Sequence, residues 1–152
     1  MTTTNGLTLQ NDINQLIRLN QKILNTLSFS QFRTKPVFCL AKTGQIIKFI
    51  APELISISLI KIIDNFKIQM EKENNIAFSM AYFWIGFISI HPFENGNGRT
   101  GKEYIRLKLQ EYGYALKHPQ KLNEILITGN TKIDLKNITT FFSNNLTKRI
   151  TL

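Results

Sequence analysis

Between residues 8 and 27 the apolar positions Ile13, Leu16, Ile17, Ile23, Leu24 and Leu27 recur among polar residues with a helical period, which predicts an amphipathic helix with one buried stripe. From Pro36 the texture changes. The short β-rich stretches PVFCLA and QIIKFI flank Lys42-Thr43-Gly44, a three-residue turn with glycine where a positive φ is wanted, and together they predict a β-hairpin over 36–50. Pro52 suits the first position of a helix, and the pattern then runs helically to about residue 73, where Asn74-Asn75 breaks it. Residues 76–90 are apolar almost all round, as a central helix buried on every side would be; a buried strand over 83–90 is the alternative. After a polar loop at 91–98, a helical pattern resumes from Arg99 to about Tyr112, with Gly113 as its cap. Two more helices fit near 119–127 and 134–147. The expected fold is all-α, a mainly helical bundle with one small β-hairpin, in a single domain spanning residues 1–152.

Composition narrows the chemistry. One Cys in 152 residues excludes a disulfide framework and a Cys-based zinc site, and two histidines, His91 and His118, exclude a multi-histidine metal centre. His118 stands before Pro119 in a polar stretch and reads as a surface loop residue. Cys39 reads as a small core hydrophobe in a strand, and Trp84 with Phe78, Phe83 and Phe87 as packing on a core helix. The N-terminus carries no charged region ahead of an apolar stretch, and the longest apolar run, 81–90, is about half of what a bilayer span requires. A soluble, cytoplasmic domain is expected. The net charge of +9 raises nucleic-acid binding as an option, but 14 of the 19 cations are lysines scattered without a block. With Ile and Asn also abundant, this is the pattern of drift toward A/T-rich codons, and a solvated surface is the better account.

The chemistry is concentrated between His91 and Arg106. Gly96-x-Gly98-x-x-Gly101 matches a dinucleotide fingerprint, but helices follow where a parallel sheet is required. Gly96-x4-Gly101-Lys102 matches most of a P-loop, but Glu103 stands where Ser or Thr must bind magnesium. The longer segment HPFENGNGRTGK has a logic of its own. Proline after His91 disfavours the α region there, which ends the preceding helix and leaves an imidazole at its exit. Phe93, apolar in a polar loop, should anchor the loop in the core. Asn95-Gly96-Asn97-Gly98 let the backbone curl just before a helix starts, so that unpaired N–H groups and the positive end of the helix dipole face one anion site. Arg99, Lys102 and Arg106 fall on one face of that helix. An imidazole base, an anion cradle and cations are the parts that phosphoryl or nucleotidyl transfer needs.

The segment HPFENGNGR at 91–99 resembles the signature of the Fic family, His-x-Phe-x-(Asp/Glu)-Gly-Asn-Gly-Arg-x-x-Arg, and the likeness extends over roughly residues 30–115. That resemblance implies a helical fold with a β-hairpin flap, here about 36–50, over a signature loop at 91–102. It implies a protein adenylyltransferase that moves AMP from ATP to a Ser, Thr or Tyr hydroxyl of a target protein. His91 would be the general base. Gly96, Asn97 and Gly98 would form the anion hole, Arg99 would hold the β-phosphate and Lys102 would stand at the γ-phosphate position. Phe93 would be the structural anchor, and the flap would register the target by strand addition.

Two positions depart from the signature. Asn95 stands where an acidic residue helps hold Mg²⁺, offering an amide oxygen without the charge a hard cation prefers. Lys102 replaces Arg, keeping the charge but losing the bidentate fork. Weakened nucleotide handling is expected, and a degenerate Fic fold that binds nucleotide or a protein partner with little transfer is the alternative. Many family members carry an inhibitory helix with a Ser/Thr-x-x-x-Glu motif. Here no Glu precedes Glu53 and no acid follows Asp134, so either a separate antitoxin-like chain supplies that glutamate or the weakened site needs no such brake.

Overall fold

The computed structural model describes residues 5–26, 31–40, 44–72, 75–125 and 127–149. Helix α1 (Asn5–Leu24) leads to an antiparallel pair, β1 (Phe38–Leu40) and β2 (Ile46–Lys48), in the register Phe38–Lys48, Cys39–Ile47 and Leu40–Ile46. A 3₁₀ turn opened by Pro52 then enters α2 (Ile55–Lys72), followed by α3 (Ile76–Ile90) and α4 (Asn97–Glu111). After β3 (Tyr114–Leu116) and a 3₁₀ segment (Pro119–Glu124) come α5 (Thr131–Asn145) and β4 (Leu146–Lys148), which pairs antiparallel with β3. This is a mainly helical fold with two small antiparallel ladders.

The hydrophobic pattern explains the arrangement. α3 presents Met80, Ala81, Phe83, Trp84 and Phe87 to the interior and packs on α2, α4 and α5. Its start is capped by the Asn75 side chain, which accepts from the Phe78 N–H at 3.0 Å. The ring of Phe83 sits between Phe66 of α2 at 5.4 Å and Tyr104 of α4 at 5.1 Å, so one aromatic residue ties three helices. Gly101 allows α4 to approach closely: a Cβ there would lie 2.8 Å from the Phe87 ring. Gly113, at φ +84, ends α4 with its N–H on the Gln110 carbonyl at 3.1 Å.

A buried ionic group joins α1, α2 and α4. The Asp12 carboxylate, 4% exposed, pairs with Lys67 and with Lys108 at 2.9 Å, and accepts from the Tyr104 hydroxyl at 3.1 Å. Burial alone would raise the Asp12 pKa, but the hydrogen bonds and charges of Lys67 and Lys108 outweigh it and hold the carboxyl below its ordinary value. The same surroundings, burial first, push the Tyr104 phenol far up.

Several expectations need correction. The helix near 119–127 is a 3₁₀ segment over 119–124, with Leu122 as its buried side chain, because Pro119 opens a short turn with little apolar face to pack. The loop expected over 91–98 closes at Gly96, and the helix expected from Arg99 starts two residues earlier, at Asn97. Cys39 is exposed, since among the described residues the β1–β2 pair has no further strand on either side, and all six of its residues are exposed. Phe78, on the outer side of the first turn of α3, is 41% exposed and does not join its core. The competing strand over 83–90 is α-helix. Leu27, Lys42 and Thr43 lie outside the described residues. Among those described, no helix is long and apolar enough to cross a membrane.

Candidate active site

The site is built where α3 ends and α4 begins. Pro92 bars His91 from continuing the helix, and His91 takes the left-handed conformation at φ 50, ψ 62, its N–H still on the Phe87 carbonyl at 3.0 Å. Such a backbone costs free energy in a non-glycine residue and persists only when its surroundings fix it. Here the fixing group is Arg33. Its Nε donates to the His91 carbonyl at 2.6 Å, and its remaining donors reach Ile90 O at 3.1 Å, Ile50 O at 2.6 Å and Lys35 O at 3.1 Å. The Arg33 N–H also bonds Pro92 O at 2.8 Å. A side chain only 2% exposed thus spends its fork on four main-chain carbonyls, joining both ends of the hairpin segment to the histidine.

The His91 ring stacks on Phe49, just past β2, with centroids 4.3 Å apart and planes within 13°. Burial, with the Arg33 charge adding to it, lowers the His91 pKa below its ordinary value, so the imidazole is neutral at pH 7 and able to accept a proton.

The turn into α4 is held from two sides. Phe93 is 1% exposed with its ring 5.5 Å from Phe32. The Asn97 side chain closes the loop on the Phe93 backbone, accepting its N–H and donating to its carbonyl, both at 2.8 Å. That amide is therefore committed to loop closure, and what Asn97 can offer an anion is its main-chain N–H. From α1, Asn20 donates to Asn95 O at 2.9 Å and to Thr100 Oγ1 at 3.2 Å. Gly96 sits at φ +77, a conformation that favours glycine, and a Cβ there would lie close, at 3.2 Å, to the Asn20 and Leu24 side chains. Asn97, Gly98 and Arg99 then form the first turn of α4, whose N–H groups have no intrahelical acceptors.

Next to this turn lies a cleft of about 560 Å³ between α1, α4 and the Pro119 segment. Arg99, Lys102 and Arg106 line it from α4 and Lys22 from α1, with Leu19, Ile23 and Pro119 as its apolar part. Glu103, also on its wall, is held by Arg106 at 2.6 and 2.9 Å, which lowers its pKa. The structure thus brings Arg99 and Lys102 into one cleft, whose lining does not include Gly96, Asn97, Gly98 or His91.

Asn95 is exposed, and its carbonyl is taken by Asn20. Among the described residues there is no group of three or more His, Cys, Asp or Glu that could hold a metal. A neutral exposed amide is a poor sole donor for Mg²⁺, so the residues do not fit a protein-held ion at Asn95. The chemistry available rests on the imidazole, the main-chain N–H groups and the cations.

Sequence reading overlooked Arg33, Asn20, Phe49 and Lys22. Each is an ordinary residue in its local context, and its role arises only from contacts across tens of positions, 58 of them between Arg33 and His91.

Fold and site together define a helical domain with a short hairpin beside a histidine and a glycine-rich loop that leads into a helix start. Residues 10–109 match the model of the Fic/DOC family. A Fido domain-containing protein of Dictyostelium discoideum is 32% identical over 89 residues, 58% of this chain and 59% of that protein. A Fic domain-containing signaling protein from Bacteroides thetaiotaomicron superposes with a TM-score of 0.66 at 18% identity, covering 93% of this chain and 65% of the other. BepC from Bartonella tribocorum, solved with bound AMPPNP, gives 0.56 at 14% identity over 79% of this chain and 66% of its own. The N-terminal Fic domain of a VirB-translocated Bep effector from Bartonella quintana gives 0.59 at 13% identity, covering 92% and 82%. The chain belongs to the Fic/DOC family. It spans 59% of the Dictyostelium relative's length.

Proposed function

We propose that this chain is a protein adenylyltransferase, moving AMP from ATP to a Ser, Thr or Tyr hydroxyl of a target protein. The observation that supports this is the placement of a neutral, fixed imidazole at one end of a six-residue loop whose other end is a helix start with its first-turn N–H groups. His91 takes the proton of the target hydroxyl as its oxygen attacks the α-phosphorus. The bond from that phosphorus to the bridging oxygen breaks and pyrophosphate leaves. The N–H groups of Gly96, Asn97 and Gly98 stabilise the phosphate charge, as preorganised donors do in phosphoryl chemistry, while Arg99 and Lys102 hold the distal phosphates. The AMPPNP bound to the Bartonella tribocorum protein supports ATP as the substrate class. The target segment adds to an open edge of the β1–β2 pair, whose exposed Phe38 and Leu40 offer it apolar contacts.

Asn95 and Lys102 favour a second reading, a nucleotide-binding Fic fold with little turnover. In either reading the α1 helix brings no brake, because its acid, Asp12, is held by Lys67 and Lys108. Glu103, on the cleft wall, is held by Arg106, so an inhibitory glutamate of the family's kind would come from an antitoxin-like partner chain.

The test is transfer of label from ATP carrying it at the α- or the γ-phosphate, with the purified protein and a cell extract. Protein-bound label from the α-position alone, abolished by His91→Ala, is the expected result. Label from the γ-position would make the protein a kinase, and none from either, with ATP bound, would establish the second reading.

A further inference from the structure

We propose that Lys22 of α1 is a ligand for the distal phosphates of the nucleotide, so that the cleft grips a polyphosphate chain from two helices. The inference rests on the nucleotide reading above and adds to it a residue outside the signature segment. Along α4 the cations are ordered: Lys102 lies about 4.5 Å, and Arg106 about 10 Å, further down the axis than Arg99 at 1.5 Å rise per residue. The positive charge is thus spread along α4, where a chain of phosphates would meet it, and Lys22 lines the same cleft from α1.

The charge balance points the same way. Four cations line the cleft against one carboxylate, Glu103, which Arg106 already neutralises through two short hydrogen bonds. Lys22 acts electrostatically on Glu103, so its charge is felt on the α4 wall. Leu19 and Ile23, neighbours of Lys22 on the same face of α1, line the cleft with apolar surface, and charge attraction strengthens where water is displaced. The position of α1 is itself pinned by Asn20, whose amide holds Asn95 O and Thr100 Oγ1. A second ammonium also offsets what Lys102 lacks, since a point charge from each side can replace a bidentate fork from one.

The experiment is calorimetric titration of the full chain with AMPPNP and with AMP, comparing wild type, Lys22→Ala, Lys22→Arg and Lys136→Ala. Lys136 is exposed on α5 and removes the same net charge far from the signature loop in sequence. Lys22→Ala should weaken AMPPNP about tenfold, as loss of one charge-assisted contact would, and leave AMP unchanged. Lys22→Arg and Lys136→Ala should bind AMPPNP as wild type does. Unaltered AMPPNP affinity in Lys22→Ala, an equal loss for AMP, or an equal loss in Lys136→Ala would overturn the assignment while leaving nucleotide binding intact. A wild type that binds neither ligand would overturn the nucleotide reading and, with it, the role of Lys22.

Discussion

The Nε of Arg33 donates to the main-chain oxygen of His91 at 2.6 Å, and the same guanidinium reaches Ile50 just after the hairpin at 2.6 Å. The base and the segment proposed to receive the target are therefore held by one side chain. Arg33→Met leaves four main-chain carbonyls without these donors and should cost about 3 kcal/mol of stability, read by urea denaturation. Arg33→Lys keeps the charge but not the fork and should recover only part of that. A purely structural Arg33 would leave the kcat of the folded fraction unchanged. A positioning Arg33 lowers kcat more than it raises KM for ATP.

The pH dependence follows from the His91 environment. Burial, then the Arg33 charge, set its folded pKa below the ordinary 6.5, so the unfolded chain binds this proton more readily than the native protein. Stability from this group is complete above pH 6.5 and declines as the pH falls from there toward the folded pKa. Transfer should fall on the acid side with a midpoint below 6.5, and in Arg33→Met that midpoint should rise. A pH–rate profile of kcat/KM on both proteins checks it.

Asp12 provides a stability test remote from the chemistry. Asp12→Asn leaves Lys108, 10% exposed at its side chain, with the more exposed Glu111 carboxylate at 3.3 Å as its remaining countercharge and should cost about 2 kcal/mol. With its pKa below 3.8 in the folded state, the wild-type contribution is present above pH 3.8 and lost as pH falls through the lower folded value. Thermal melts of both proteins across acid pH should converge at the acid end.

Much of this was legible before any coordinates. The unbroken apolar stretch at 76–90, the turn chemistry around Gly44 and the histidine–proline junction each carry a local cause that survives folding, and the structure shows α3, the β1–β2 pair and the helix end at Ile90. What the sequence hid depends on distance. β3 and β4 are three residues each and pair across thirty residues, with no alternation long enough to register. Arg33 looks like any solvated cation, and its burial comes from the convergence of α3 and the hairpin on one point. Cys39 and Phe78 misled because an apolar residue in a strand or helix reads as core, whereas the hairpin stands free and Phe78 occupies the outer side of α3.

The two departures from the family signature can be reversed. Asn95→Glu supplies an anionic oxygen, and Lys102→Arg restores a fork beside Lys22 and Arg99. The double variant should raise the transfer rate about tenfold over wild type, measured with a hydroxyl-bearing acceptor or by self-modification. An unchanged rate, with ATP still bound, would mean that these positions do not limit the site.

The most direct measurement is the intact mass of the purified protein after incubation with ATP and Mg²⁺, beside His91→Ala. Adenylyl transfer with His91 as base predicts a gain of one AMP unit in the wild type, enlarged in the Asn95→Glu, Lys102→Arg variant and absent from His91→Ala. A gain of phosphate alone, or an AMP adduct that persists in His91→Ala, would contradict it.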